Sequence, residues 1–301
     1  APRLVDGRIV RGDGSARAVP SALWNVRERL RAMDSAGLSH QVISPVPEIM
    51  TQAWPEDPAY ARAVNDSIAQ ACRESGGRLI GLGCLPRSDP AAELARCLGL
   101  GLRGVLVGTR MAGSGLDVPG LSSLWASCEE AGACVFVHPI DHGRGVLCRS
   151  EPQMEIGLGM PADTAVAATA LVFGGVLARY PGLRVLLAHG GSAFPWVYPR
   201  LRMAAEGPGE RWDALVRRLF VDTLVFDAAH LPLLAHRFGP DRLLLGTDSP
   251  FLSEHFADAA RIAGVLPGAL RRAVEVPNAR TFLGLPVAEH PGSRRTSTTP
   301  R

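Results

Sequence analysis

Cys134-Val-Phe-Val-His138-Pro139 is a short apolar run that stops on an imidazole. The same pattern recurs in Val185-Leu-Leu-Ala-His189-Gly190-Gly191 and in Leu243-Leu-Leu-Gly-Thr-Asp248-Ser-Pro-Phe251. Each run has the length of a buried strand and no alternation of apolar and polar residues, which is the signature of a strand covered on both faces in a parallel sheet. In a (β/α)8 barrel the C-terminal ends of such strands converge on one active face. His, His and Asp at three of these ends therefore read as one site. Imidazole nitrogen and carboxylate oxygen suit Zn2+, and a catalytic zinc leaves one position open.

Outward from these runs, helical and strand-like segments alternate. Helical periodicity over 24–36 places Val26, Leu30 and Met33 on one face, and Gly37 supplies a stop; Val42 and Ile43 read as a short strand. Helices at 58–74, 90–98, 121–131, 162–179, 211–219 and 229–237 precede strands at 79–85, 104–107, 134–138, 185–189, 220–222 and 243–247, and a last helix covers 257–273. Such alternation predicts a parallel sheet. With the strand at residues 42–43 this makes seven strands, one short of a closed barrel; the expected fold is a (β/α)8 TIM-type barrel lacking its first strand in this chain. Because the chain starts on Ala1 and not Met, an upstream segment is expected to be missing. A doubly wound open sheet also satisfies the periodicity, although no Gly-rich fingerprint follows the first strand. Residues 4–10, two apolar runs around Asp6-Gly7, form a hairpin signal. Loops at 139–159 and 203–210 are expected to lie over the active face. The organisation predicted is one domain over 1–289 and a disordered tail over 290–301.

Composition narrows the class. The chain has 301 residues, is 47% hydrophobic and carries a net charge of +3 with no Lys/Arg block, which argues against a nucleic-acid partner. The six cysteines are scattered, without a CxxC pair, as expected for reduced thiols in a cytoplasmic protein. No run of about 18 apolar residues or signal-peptide pattern is present, so no membrane span is expected.

Taken singly, His138 and His189 each read as satisfied structural histidines, and Asp248 reads as a helix N-cap. Convergence of three strand ends outweighs those separate readings. His40 and His142 read as core or surface residues, and His230, His236, His255 and His290 have no partner at ligand spacing. On residue type alone Arg17 and Arg200 read as solvated surface.

Several further motifs accompany the three runs: Ala22-Leu-Trp-Asn25 followed by Arg29 and Asp34, Leu79-Ile-Gly-Leu-Gly83, Val137-His-Pro-Ile-Asp141, Gly159-Met-Pro-Ala-Asp-Thr164, Leu187-Ala-His-Gly-Gly-Ser-Ala-Phe194 and Phe220-Val-Asp222. Together, from about residue 4 to about residue 285, they resemble the amidohydrolase-related metal-dependent decarboxylases of the 2-amino-3-carboxymuconate-6-semialdehyde decarboxylase type. The resemblance implies a distorted (β/α)8 barrel with a small inserted hairpin at residues 4–10. It implies one zinc per subunit, with His138 and Asp248 as ligands, and His189 as the acid/base of a decarboxylation that uses no redox cofactor. It further implies that Arg17, Arg200 and Phe251 bind the substrate, with Arg200 reaching across a homodimer interface; bidentate pairing is the physical reason for arginine opposite a carboxylate.

Two departures stand out. The N-terminal His-x-His of that family has no counterpart in this chain, which leaves fewer protein ligands than a catalytic zinc uses. Ile140, Ile156 and Ser249 replace aromatic residues of the pattern, so the aminocarboxymuconate semialdehyde itself is left open as substrate, while the two arginines still imply a small carboxylic acid. A zinc-dependent non-oxidative decarboxylase is the leading expectation. A metal-dependent hydrolase of a lactone or amide, and a non-catalytic relative without the His-x-His motif, are the alternatives.

Overall fold

The computed structural model describes residues 3–10, 14, 16–47, 57–111, 113–140, 154–251 and 264–286. His142, His255, His290, the expected tail over 290–301 and the first part of the helix expected over 257–273 lie outside the described residues.

Strands β1 (Arg3–Val5), β2 (Arg8–Val10) and β3 (Ala16–Ala18) form an antiparallel meander, with Leu4 opposite Ile9 and Ile9 opposite Arg17. The expected hairpin is present, turning at Asp6 and Gly7, both of positive φ. Its third strand was not legible, because Ala16, Arg17 and Ala18 are all exposed and offer no apolar alternation. Helix α1 (Val26–Ser35) follows; the side chain of Asn25 caps it by accepting from the Glu28 N–H. Then come β4 (Gln41–Ile43), α2 (Pro58–Glu74), β5 (Leu79–Gly81), α3 (Pro90–Gly99), β6 (Gly104–Gly108), α4 (Ser122–Glu130) and β7 (Cys134–His138). The second half contains α5 (Met160–Phe173), α6 (Val176–Arg179), β8 (Arg184–Leu187), α7 (Phe194–Ala204), α8 (Gly209–Val216), β9 (Phe220–Asp222), α9 (Leu231–Phe238) and β10 (Leu243–Leu244). Helices α10 (Gly268–Glu275) and α11 (Pro277–Phe282) complete it.

The order of the parallel strands in space is their order in the chain. β4 pairs with β5, and β6 through β10 form a continuous five-stranded sheet. A bridge from Gly83 to Val105 joins the two groups, with the Leu106 N–H donating to the Gly83 carbonyl at 2.8 Å. A doubly wound sheet reverses its strand order at a switch point. No reversal occurs here, so the seven strands form an arc wound in one direction, as in a barrel. Among the described residues no strand stands between β10 and β4.

The side-chain period of two divides each strand between two cores. Val135 and Val137 of β7, with Val105, Val107, Val185, Leu187 and Val221, pack outward against the helices. Cys134, Leu186, Phe220 and Leu244 pack with Phe282 and Leu283 of α11. The Arg184 side chain donates to the Phe282 carbonyl at 2.8 Å, which fixes α11 at the N-terminal end of β8. That end is plugged, so the ligand-type residues occupy the other.

The helix expected over 162–179 is broken in two. Gly175 takes φ of +83°, and a Cβ on Gly174 would lie 2.4 Å from the Ala170 carbonyl oxygen. By length and composition alone Glu155–Arg179 could cross a membrane. However, Ala165, Ala167, Ala168, Leu171 and Val172 of α5 are buried in the barrel's outer core, and that packing accounts for their apolarity.

A candidate metal and carboxylate site at the strand ends

His138 is the last residue of β7. Its Nδ1 lies 2.8 Å from the carbonyl oxygen of Pro139. A carbonyl can only accept, so Nδ1 carries the proton and Nε2 is the ring nitrogen that bears the lone pair. His189 follows β8 in a turn with φ of +55°. Burial disfavours its imidazolium and lowers its pKa to about 4, so the ring is neutral at physiological pH. The His138 and His189 rings meet edge to face with centroids 5.0 Å apart. Asp248 follows β10, also with a left-handed backbone, φ +50°.

The candidate ligand atoms of His138, His189 and Asp248 all lie within 4.8 Å of one another. Ligands about 2.1 Å from an ion stand about 3.4 Å apart, so small side-chain rotations would bring His138 and Asp248 onto one ion with the His189 ring beside it. An imidazole nitrogen and a carboxylate oxygen are donors suited to a first-row divalent ion. The donor types present therefore fit the implied metal, with two of its positions supplied by this pair. The strand ends expected to converge do converge.

Asp222, at the end of β9, was legible as part of a motif but without a role. Its Oδ2 accepts from the His189 backbone N–H at 2.8 Å; its Oδ1 accepts from Gly190 at 3.2 Å and from Leu224 at 3.0 Å. The carboxylate thus holds the turn that presents His189. Burial raises the Asp222 pKa to about 6, against the pull of these three donors. The surroundings are shaped to it. A Cβ on Gly246 would lie 2.8 Å from the Asp222 Cβ, and one on Gly190 would lie 2.5 Å from Val225 Cγ1.

Arg17 of β3 stacks over the ring of Phe251, 4.7 Å from its centroid. Phe251 packs in turn against Ile9, Val19 and Val46. Two residues expected to bind substrate, far apart in sequence, thus meet beside the loop that carries Asp248. Arg200 is different: it lies on the exposed face of α7 and is not among the residues gathered there. Trp196 and Met203, 79% and 78% exposed, lie on the same helix. At the end of β6, Gly108 is in register with His138, and a Cβ there would lie 2.6 Å from Ile140 Cδ1. Two residues on, Arg110 pairs with the buried Asp163 of α5 at 3.4 Å, a link the sequence did not reveal.

The model of the amidohydrolase family matches residues 23–285. A 2-amino-3-carboxymuconate-6-semialdehyde decarboxylase from Dictyostelium discoideum is 34% identical over 269 residues, covering 83% of this chain and 72% of that protein. The crystal structure of 5-carboxyvanillate decarboxylase from Sphingomonas paucimobilis superposes with a TM-score of 0.75 at 23% identity, over 86% of this chain and 83% of that one. A second 5-carboxyvanillate decarboxylase, from Novosphingobium aromaticivorans, superposes with a TM-score of 0.73 at 20% identity, over 86% of this chain and 80% of that one; it holds manganese and 4-hydroxy-3-methoxy-5-nitrobenzoic acid. The two superpositions place the arc of seven strands in the amidohydrolase type of (β/α)8 barrel, and the sequence match runs through all three strand ends: the chain belongs to the amidohydrolase family.

Proposed function

We propose that this chain is a zinc-dependent, non-oxidative decarboxylase of a small carboxylic acid. The observation that carries the reading is the convergence of His138, His189 and Asp248 within 4.8 Å at the ends of β7, β8 and β10. The named activities of its relatives, decarboxylation of aminocarboxymuconate semialdehyde and of carboxyvanillate, support the reaction class. His138 Nε2 and the Asp248 carboxylate would hold the ion, and a divalent ion there would supply Lewis-acid polarisation of a substrate oxygen. His189 is the acid/base. Kept neutral by burial, it can take up a proton and return it to the carbon whose bond to the carboxylate breaks as carbon dioxide leaves. Arg17, held against Phe251, presents its guanidinium to a substrate carboxylate.

The proposal extends to a homodimer in which Arg200 enters the partner's site. Trp196, Arg200 and Met203 recur at helical spacing along the exposed side of α7, a face with the composition of an interface core. A cytoplasmic setting belongs to the same reading; the five cysteines among the described residues are all free thiols.

The test combines elemental analysis of protein purified without chelator with carbon dioxide release from candidate aromatic and unsaturated acids. The expected result is near-stoichiometric zinc and turnover that falls about 100-fold or more in H189N, with metal retained. Metal-loaded protein that opens lactones but releases no carbon dioxide would move the assignment to the hydrolases.

A further inference from the structure

Three consecutive strands of the arc are followed by a non-glycine residue with left-handed backbone: His189 after β8, Phe226 after β9 and Asp248 after β10, with φ of 55°, 60° and 50°. Two of them are the site residues described above. Phe226 is the third, and for so bulky a side chain this conformation is a strained one.

The strain is imposed by anchors on both sides. The Val225 N–H donates to the Thr223 carbonyl at 3.0 Å, and the Asp227 N–H donates to the Val225 carbonyl at 2.7 Å, pinching the chain around Phe226. Upstream, Leu224 hangs on the Asp222 carboxylate that also holds His189 and Gly190. Val225 packs so closely on Gly190 that no side chain fits there. Downstream, the Asp227 carboxylate accepts from the Ala229 N–H at 2.9 Å. The loop is therefore locked onto the His189 turn, yet the Phe226 ring is 65% exposed. An aromatic ring kept for stability is normally buried. Here a costly backbone holds one out on the active face.

We propose that Phe226 is a specificity-determining wall of the substrate site, where its ring packs against the planar ring of an aromatic carboxylate bound beside His189. This rests on the carboxylate-site reading above. It adds a residue and a preference: acids that carry an aromatic ring are selected over ring-free ones.

The test is calorimetric titration of the full chain, loaded with manganese, using 4-hydroxy-3-methoxy-5-nitrobenzoate as the planar probe and maleate as a ring-free dicarboxylate. F226G should bind the aromatic probe at least tenfold more weakly while maleate affinity stays within twofold. F226Y should restore the aromatic affinity. The melting temperature of F226G should be unchanged or higher, because glycine relieves the left-handed backbone. Equal aromatic affinity in F226G and wild type would overturn the proposal and leave the carboxylate site standing. Loss of both probes together with a lower melting temperature would also overturn it, by making the ring structural. Wild-type protein that binds neither probe would remove the site reading itself, and the proposal with it.

Discussion

Asp222 makes no contact that its sequence position advertises, yet it fixes the geometry of His189. An asparagine there would keep the shape and lose one acceptor, so one buried backbone N–H would face an amide N–H in place of an oxygen. D222N is expected to lower stability by about 1–3 kcal/mol, read as a lower urea midpoint, and to reduce turnover because the His189 turn relaxes. Unchanged turnover at reduced stability would show that Asp222 serves the fold alone. The contrast with His138 explains what was legible at this scale. A histidine that closes an apolar strand is visible in one dimension, since strand period and barrel geometry dictate where its side chain goes. An aspartate whose partners are three backbone N–H groups in two other segments has no signature until those segments are placed. Phe226 was equally silent, because positive φ leaves a sequence trace only when the residue is glycine or asparagine.

At the level of elements, the seven parallel strands and most helices were readable because hydrophobic period and strand burial agree along the arc. The failures have local causes. Helix α7 was missed because Pro195 and Pro199 break the expected pattern; the first sits in the opening turn, where its missing N–H costs nothing, and the second is tolerated inside the helix. The helix across 162–179 was read as continuous because its hydrophobicity persists through Gly174 and Gly175, where the backbone turns. Helix α11 was not expected at all, although Phe282 fills the core among Leu82, Leu186 and Phe220, with its ring 5.4 Å from that of Phe220. F282A should cost about 3–5 kcal/mol in a denaturant titration. Because the plug lies at the end of the arc opposite His138, bound metal per folded chain should not change; a loss of metal in F282A would show that the two ends are coupled.

Considered as a whole, the molecule conceals much of its sulfur. Burial pushes the thiols of Cys84, Cys97, Cys128 and Cys134 up to about 12. Unfolding returns them to the ordinary value near 8.5, so between those limits the unfolded chain sheds protons that the folded chain keeps. Their contribution to stability is complete below about pH 8.5 and is lost as pH climbs toward 12, at up to about 1.4 kcal/mol per pH unit for each thiol. The melting temperature should therefore fall through the alkaline range, and C128A should shallow that fall; an identical slope in C128A would assign the loss to other groups. The arc itself is assembled from neighbours, each strand beside the one before it. The antiparallel meander is the exception, because Ile9, Arg17 and Val19 find Phe251 only after every barrel strand has been laid down. Closing so long a loop is slow and comes late. A nascent or C-terminally clipped chain can carry both histidines in place and still lack Asp248 and the Phe251 ring under Arg17, so the candidate site is gathered only once the last barrel strand and its loop have joined the arc.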